Sequence, residues 1–103
     1  MEIYELAPNN GRQSFYGKAK VYALDNGDKI LQSYDTIVLV KKSNGDLFRT
    51  WDGWSSTTGA HIKAFCGDNK AGIDKLALYS INCTITIKNG QIIKMDYDLT
   101  KEA

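Results

Sequence analysis

Residues 37–48 carry the sequence IVLVKKSNGDLF, an unbroken apolar run that is followed by an Asn-Gly pair and a second apolar pair. An apolar run without alternation predicts a strand covered on both faces, because a solvent-facing side would carry polar residues. Asn-Gly between apolar runs is the strongest local signal of a β-hairpin. The stretch therefore predicts a central strand of an antiparallel sheet, with another structural element on each face.

Two further Asn-Gly pairs, at 26–27 and 89–90, repeat the hairpin signal along the chain. Residues that face one another across a hairpin share one face of the sheet, so apolar residues should meet apolar residues. This criterion favours a three-residue loop at all three turns, with the turn glycine in the left-handed conformation. The predicted cross-strand pairs are Val21 with Leu31, Tyr22 with Ile30, Val40 with Phe48, Ile81 with Tyr97, Cys83 with Met95 and Ile85 with Ile93.

One main helix is predicted at Thr57–Cys66. Ser55 and Ser56 precede it with hydroxyls that suit an N-cap, and Gly67 follows it where a left-handed C-cap belongs. The segment Asp68–Ser80 has weaker helical spacing and predicts one short helix.

These elements predict a single α+β domain over residues 1–103, with an antiparallel sheet of five to six strands and the main helix on one face. The closing hairpin either extends this sheet or packs on it. The predicted strands are Glu2–Leu6, Ser14–Leu24, Lys29–Lys41 with a bend near Tyr34-Asp35, Leu47–Trp51 and the two arms of Ile81–Leu99.

The composition narrows the class of protein. The chain has 103 residues, 43% of them hydrophobic, and a formal net charge of +1. This hydrophobic content excludes intrinsic disorder, and the balanced charge gives no bulk attraction to nucleic acid or to an anionic membrane. The sequence has no apolar run long enough to span a bilayer and no basic leader, so we expect a soluble cytoplasmic protein. Its two cysteines, Cys66 and Cys83, are expected to be buried free thiols.

His61 is the only histidine and the natural starting point for any acid–base mechanism. Thr57, Thr58 and Asp52 lie near it in sequence, but a catalytic triad depends on mutual orientation rather than on sequence proximity. No spacing of histidine, cysteine and carboxylate residues matches a zinc or calcium site. We therefore expect no enzymatic activity, no metal and no cofactor, and a structural or interfacial role for His61.

Two groups of residues are candidates for binding a protein. Trp51 and Trp54 flank a tight turn that also contains Asp52, and tryptophan is enriched at the energetic centres of protein interfaces. Asp96 and Asp98 share one face of the last predicted strand, because side chains alternate along a strand. These acidic side chains would suit a basic partner surface.

The second predicted strand offers an alternative, nucleic-acid-binding surface. Alternation from Ser14 onward places four basic and aromatic side chains on one face, and a further basic residue precedes them. Such lysines can contact phosphates while the rings stack on bases. The residues are Arg12, Tyr16, Lys18, Lys20 and Tyr22.

Three segments together resemble a known family. They are SFYGKAKV at 14–21, LQSYDTIV at 31–38 and RTWDGWSSTTGAHIKAF at 49–65. They are similar to short, uncharacterised proteins carried by phages, plasmids and integrated elements of low-GC Gram-positive bacteria, over roughly residues 2–66.

The resemblance implies a role class as an expectation. Small proteins of such elements include inhibitors of host defence, among them anti-CRISPR proteins that bind and block Cas nucleases. We therefore expect a non-enzymatic protein that acts in the host cytoplasm by stoichiometric binding of a host-defence protein, such as the type II effector Cas9 or its guide-RNA complex. An accessory protein that binds nucleic acid is the alternative.

Overall fold

Five strands follow one another in an antiparallel meander and form the main sheet. The computed structural model describes residues 1–8 and 15–102. The sheet contains β1 (Glu2–Glu5), β2 (Ala19–Ala23), β3 (Lys29–Ser33), β4 (Thr36–Lys41) and β5 (Leu47–Arg49), and their spatial order equals their order in the chain. The predicted second strand is shorter than expected, because the chain turns at Tyr16 and Gly17 and β2 begins at Ala19; Ser14 lies outside the described residues.

The first two Asn-Gly turns have the predicted geometry. Gly27 and Gly45 are left-handed, with φ of 93° and 96°. Val21 faces Leu31, Tyr22 faces Ile30 and Val40 faces Phe48, which confirms the predicted register. In both turns the asparagine Oδ1 accepts a hydrogen bond from the backbone N–H two residues later, so the local sequence specifies the turn.

The third predicted strand, Lys29–Lys41, is wrong as a single bent strand. The chain reverses at Tyr34 and Asp35, so that Ser33 faces Thr36 and the segment forms the two neighbouring strands β3 and β4. Tyr34 adopts a positive φ of 55°, a conformation that a bulky side chain rarely takes and that no local signal predicts. A register shift just after this turn leaves Val38 without a partner on β3, as a bulge.

Two helices cover one face of the main sheet. The main helix, α1, spans Ser56–Cys66, with Ser55 as its N-cap and Gly67 as its left-handed C-cap, in agreement with the predicted signals. A short helix, α2 (Lys70–Asp74), follows it. Ile62 of α1 and Ile73 of α2 belong to the same buried cluster as Val21, Leu31, Val38 and Leu39 of the sheet.

A two-stranded sheet covers the opposite face. It consists of β6 (Tyr79–Lys88) and β7 (Gln91–Lys101), and its Met95 packs on Ile30 and Val40 of the main sheet. The closing hairpin thus packs on the main sheet rather than extending it. As predicted, β4 is covered on both faces, although β3 holds the central position.

The predicted register of the closing hairpin is wrong. Asn89 and Gly90, both with positive φ, form a two-residue turn with Lys88 opposite Gln91. A register shift then leaves Ile93 unpaired as a bulge, which moves every later pair by one residue. The cross-strand pairs are Ile81 with Leu99, Cys83 with Tyr97 and Ile85 with Met95. The apolar residues of both strands still share one face of the hairpin. A two-residue turn alone would set apolar residues opposite polar ones, and the bulge corrects this by one residue.

The architecture confirms the predicted α+β class: an antiparallel meander, a second two-stranded sheet and one main helix. Among the described residues, no helix is both long and apolar enough to cross a membrane.

Candidate binding site

The two tryptophans lie on the segment that links β5 to α1, and one arginine holds this segment. Nε of Arg49 donates to the carbonyl oxygen of Trp51 at 2.8 Å, and its Nη2 donates to the carbonyl oxygen of Asp52 at 3.0 Å. Its Nη1 also lies 3.6 Å from Oδ1 of Asp74 in α2. Arg49 therefore fixes the backbone between the two indoles and ties it to the second helix.

Each indole rests on a glycine. A Cβ atom on Gly53 would collide with Cζ2 of Trp51, and a Cβ atom on Gly59 would lie 2.6 Å from Cζ2 of Trp54. Real Cβ atoms essentially never approach another heavy atom so closely, so any larger residue would displace the ring. Gly59 stands inside α1, where alanine would favour the helix by about 1 kcal/mol, so this glycine has a packing role.

Both indoles line a cavity of about 260 Å³ at the amino-terminal end of α1. Tyr34 adds a third aromatic ring from the turn between β3 and β4. The lining also includes Ser33, Ser55 and Thr58, and none of the lining residues that the structure describes carries a charge. The cavity, which we call the aromatic pocket, therefore offers apolar ring surfaces together with neutral hydrogen-bonding groups.

A buried polar network lies behind the aromatic pocket. Oγ of Ser33 lies 2.9 Å from Oγ1 of Thr58 and 2.8 Å from Nδ1 of His61, and all three residues are buried. The ring of Phe15 meets the ring of His61 edge-on, with 4.5 Å between centroids. These contacts fix the orientation of the Ser33 and Thr58 hydroxyls.

Of the residues near His61 in sequence, only Thr58 joins this network, and it does so through Ser33. Thr57 lies on the exposed side of α1. Asp52 is exposed as well and is bound through its backbone carbonyl to Arg49. Sequence proximity thus did not reveal the group that meets the imidazole, because Ser33 lies 28 positions away.

Tyr34 combines an unusual backbone with an exposed ring. Its φ is 55° and its side chain is 47% exposed. Its N–H donates to the carbonyl oxygen of Lys18 at 2.7 Å, and its own carbonyl accepts from Nε2 of Gln32 at 2.8 Å. A bulky residue in the left-handed region costs about 1–3 kcal/mol and persists only where its surroundings hold it, often at binding sites.

The acidic candidates lie elsewhere. Asp96 and Asp98 are on the exposed face of β7, opposite the side that buries Met95, as alternation predicted. They line a second cavity of about 430 Å³ between β7 and the turn that joins β2 to β3, and we call it the acidic cavity after its four aspartates, although Lys42 and Lys94 line it as well. The two predicted groups of protein-binding residues therefore lie at separate cavities, the tryptophans at the aromatic pocket and the two aspartates at the acidic cavity. Asp52, predicted together with the tryptophans, is exposed and lines neither cavity.

A buried carboxylate connects the two layers at the acidic cavity. Oδ2 of Asp28 accepts a hydrogen bond from Oη of Tyr97 at 2.5 Å and lies 3.7 Å from Nζ of Lys42. Burial by itself raises the pKa of the Asp28 carboxyl, but the hydrogen bonds from Tyr97 and the Ser43 amide, with the Lys42 charge, outweigh burial and lower it. Asp28 is therefore ionised near neutral pH.

The predicted nucleic-acid surface does not form as one strand face. Tyr16 lies on the turn that precedes β2, so alternation along the strand cannot align it with Lys20 and Tyr22. Tyr22 is half-buried and donates from Oη to Oε1 of Gln32 at 2.9 Å. Lys18 lies with Nζ 5.7 Å from the ring centroid of Tyr34, Lys20 is exposed, and Arg12 lies outside the described residues.

The two cysteines are free thiols, as predicted, but they are only half-buried. Burial raises the pKa of both thiols, which keeps them protonated near neutral pH. Within residues 1–8 and 15–102, no group of three or more histidine, cysteine and carboxylate side chains could hold a metal ion.

The fold and the cavity define a small α+β protein with an aromatic pocket at the start of its main helix, whose described lining residues carry no charge. The chain belongs to a family of unknown function (DUF8033), whose model matches residues 4–80. This range includes β2 to β5, both helices and every residue of the aromatic pocket, and it ends at the start of β6. No curated protein and no solved structure matches the chain.

Proposed function

We propose that this chain is a non-catalytic binding protein whose aromatic pocket receives a neutral side chain of a partner protein. The observation that carries the proposal is the contact of Trp51 and Trp54 with Gly53 and Gly59. It holds two indoles around a cavity whose described lining residues carry no charge. Rigid aromatic side chains lose little conformational entropy on binding, and tryptophans in such settings contribute about 2 kcal/mol or more to an interface.

The lining of the aromatic pocket determines the chemistry of its occupant. A charged group would lose its hydration without gaining an oppositely charged partner, because no lining residue among those described carries a charge. An aromatic or branched aliphatic side chain fits the three rings, and the hydroxyls of Ser33, Ser55 and Thr58 can bind a polar atom of the same residue. We therefore expect phenylalanine, tyrosine or leucine at the tip of a partner segment.

For the identity of the partner we propose a host-defence protein, with the type II effector Cas9 as the first candidate. The resemblance to mobile-element proteins motivates this choice. Asp96 and Asp98 at the acidic cavity supply a second contact of the sign that suits the basic nucleic-acid groove of such an effector. Inhibition would then be stoichiometric and would depend on whether the guide RNA or the inhibitor is added first.

The pocket can be tested without knowing the partner. Trp51 and Trp54 are the only tryptophans in the chain, so intrinsic fluorescence reports directly on the pocket. Titration with N-acetylphenylalaninamide should shift the emission and saturate, whereas N-acetyllysinamide should not. The Gly59→Leu variant, which displaces the ring of Trp54, should abolish the response to the phenylalanine amide. Identical responses to both amides would contradict an apolar pocket.

The target can be tested with purified Cas9, guide RNA and DNA substrate over a range of inhibitor ratios. Cleavage should stop near equimolar inhibitor, and inhibition should weaken for Trp54→Ala and for the double variant D96K/D98K. Tyr16→Ala, an exposed aromatic residue that does not line the pocket, is the matched control and should inhibit fully. Binding of single-stranded oligonucleotides that is lost in K18A/K20A would instead favour the nucleic-acid alternative.

A further inference from the structure

The outer edge of β6 is long, uncharged and open. Between Tyr79 and Ile87 this strand carries no charged residue, no proline and no glycine. Its inner edge pairs with β7 along the whole strand. In the part of the chain that the structure describes, the backbone of residues 80–88 forms hydrogen bonds only with β7. Open edges of this kind are templates for pairing with another strand.

The outer edge of β7, by contrast, carries the features that prevent pairing. Charged side chains stand along this strand, and the bulge at Ile93 interrupts its regular backbone. Natural sheets use charges and bulges in this way to block association through an edge. The charged residues are Lys94, Asp96, Asp98 and Lys101. Only one edge of the hairpin is therefore suited to association.

We propose that β6 pairs with β6 of a second copy of this chain, antiparallel and around a two-fold axis at Thr84. The two hairpins then form one four-stranded sheet. Residues that face one another share a sheet face, so this register sets Cys83 opposite Ile85 and Ile81 opposite Ile87 of the second copy. A two-fold axis makes the contact self-complementary, as in most homodimers.

The charges along β6 and the exposure of its side chains both favour a second copy of this chain as the partner at the outer edge of β6. Lys88, the single charged residue of β6, faces Ser80 in this register, so no like charges meet across the axis. Ile85 and Ile87 are 43% and 64% exposed in the single chain. The two-fold register places them beside Ile81 and Cys83 of the second copy, at the open end of the other hairpin. There the apolar face is already covered by the main sheet. The two exposed isoleucines thus gain apolar neighbours from the same contact that completes the edge.

The test is sedimentation velocity over micromolar to millimolar concentrations of the full chain. The wild type should associate to a dimer. In Thr84→Lys two like charges meet at the axis, so the dissociation constant should rise at least tenfold. The hairpin itself should tolerate this change, because Thr84 faces Asp96 within the chain. Mixing Thr84→Lys with Thr84→Glu should restore dimers, since opposite charges then meet.

Thr100→Lys is the matched control, because it places the same charge on the exposed side of β7, opposite Ser80. It should dimerise like the wild type. A wild type that stays monomeric at every concentration, or a Thr84→Lys variant with unchanged affinity, would overturn the proposal. An equal loss of dimer affinity in Thr84→Lys and Thr100→Lys would place the contact on the polar face of the hairpin and would overturn the proposal as well. Hydrogen exchange of the wild type gives a second readout: amides of β6 should exchange more slowly as concentration rises, and those of β7 should not.

Discussion

Replacing Tyr97 with phenylalanine should destabilise the fold, because this side chain joins the second sheet to a buried charge at the turn between β2 and β3. The change removes one hydrogen bond of 2.5 Å to the ionised carboxylate of Asp28, which is 5% exposed. Hydrogen bonds to charged groups contribute about 1.5–3 kcal/mol. Asp28 keeps the Ser43 amide at 2.8 Å and Nδ2 of Asn26 at 3.2 Å, so the lower part of this range applies.

The expected loss is about 1.5–2 kcal/mol in the free energy of unfolding at neutral pH. For a chain of this size, each kcal/mol corresponds to roughly 4–8 °C in Tm. The assay is urea denaturation followed by circular dichroism, where the midpoint should fall while the slope m stays unchanged. The ring of the new phenylalanine keeps the place of the tyrosine ring, where Nζ of Lys42 lies 4.7 Å from the centroid, so packing contributes little to the loss.

The effect of Tyr97→Phe should also depend on pH in a defined direction. The pKa of Asp28 is lower in the folded protein than its usual value of about 4. The ionised carboxyl therefore contributes its full stabilisation of the fold when the pH is above that usual value. This stabilisation is lost as the pH falls through the pKa that Asp28 has in the folded protein. Protonation removes the negative charge that accepts the hydrogen bond from Tyr97. The difference between wild type and variant should therefore shrink in acid.

Tyr22→Phe is the matched control for this experiment. Its hydroxyl donates to the neutral amide oxygen of Gln32 at 2.9 Å, so the loss should be about 1 kcal/mol and independent of pH in acid. A Tyr97→Phe loss under about 0.5 kcal/mol, or one that stays constant from neutral to strongly acidic pH, would refute the reasoning about a charged partner.

Three further substitutions test separate features. Gly59→Ala should destabilise the protein and shift its tryptophan emission, although alanine favours a helix, because the new Cβ would meet the ring of Trp54; an increase in Tm would contradict the proposed seating. Gly90→Ala should cost about 1 kcal/mol in thermal denaturation through its positive φ alone, since no atom lies within 4 Å of the added Cβ. Ser33→Ala should cost about 1–3 kcal/mol by leaving His61 without the hydroxyl at Nδ1, and an unchanged Tm would show that the buried network is dispensable.

The turns and caps could be predicted because their interactions lie within a few residues. Asn26 and Asn44 each bond the backbone two residues later, and Ser55 accepts from the backbone three residues later. The sequence that specifies such a contact is therefore contained in the same short window. The main helix and the first two hairpins were predicted for this reason.

The reversal at Tyr34 could not be predicted, because two of the contacts that hold it are not local. Its N–H is bound by Lys18, 16 positions earlier in the chain, and its ring lies against His61, with 5.9 Å between centroids. The residue type itself points away from a turn with positive φ. The register of the closing hairpin was missed for a related reason, since a bulge at Ile93 has no sequence signal of its own.

The aromatic pocket was found in part. Trp51 and Trp54 were identified because tryptophan near a tight turn is informative by residue type alone. The sequence did not reveal Ser33, Tyr34 or the role of Arg49 in holding the backbone between the tryptophans. Serine, tyrosine and arginine are common on strands, and their roles here depend on the distant residues that they contact. Thr58 was predicted only as a sequence neighbour of His61. In the structure its hydroxyl bonds to Ser33, which lies 25 positions away.

The sequence by itself determined the α+β class, the first two Asn-Gly hairpin turns, the ends of the main helix and the two-sided burial of the apolar run at 37–40. Each of these depends on side-chain periodicity or on contacts between near neighbours, which a linear pattern records. Only the tertiary structure decided that the closing hairpin packs on the sheet and that the tryptophans, acidic residues and lysines occupy separate surfaces. These arrangements depend on which distant segments bury one another, and burial is a property of the assembled layers rather than of any one segment.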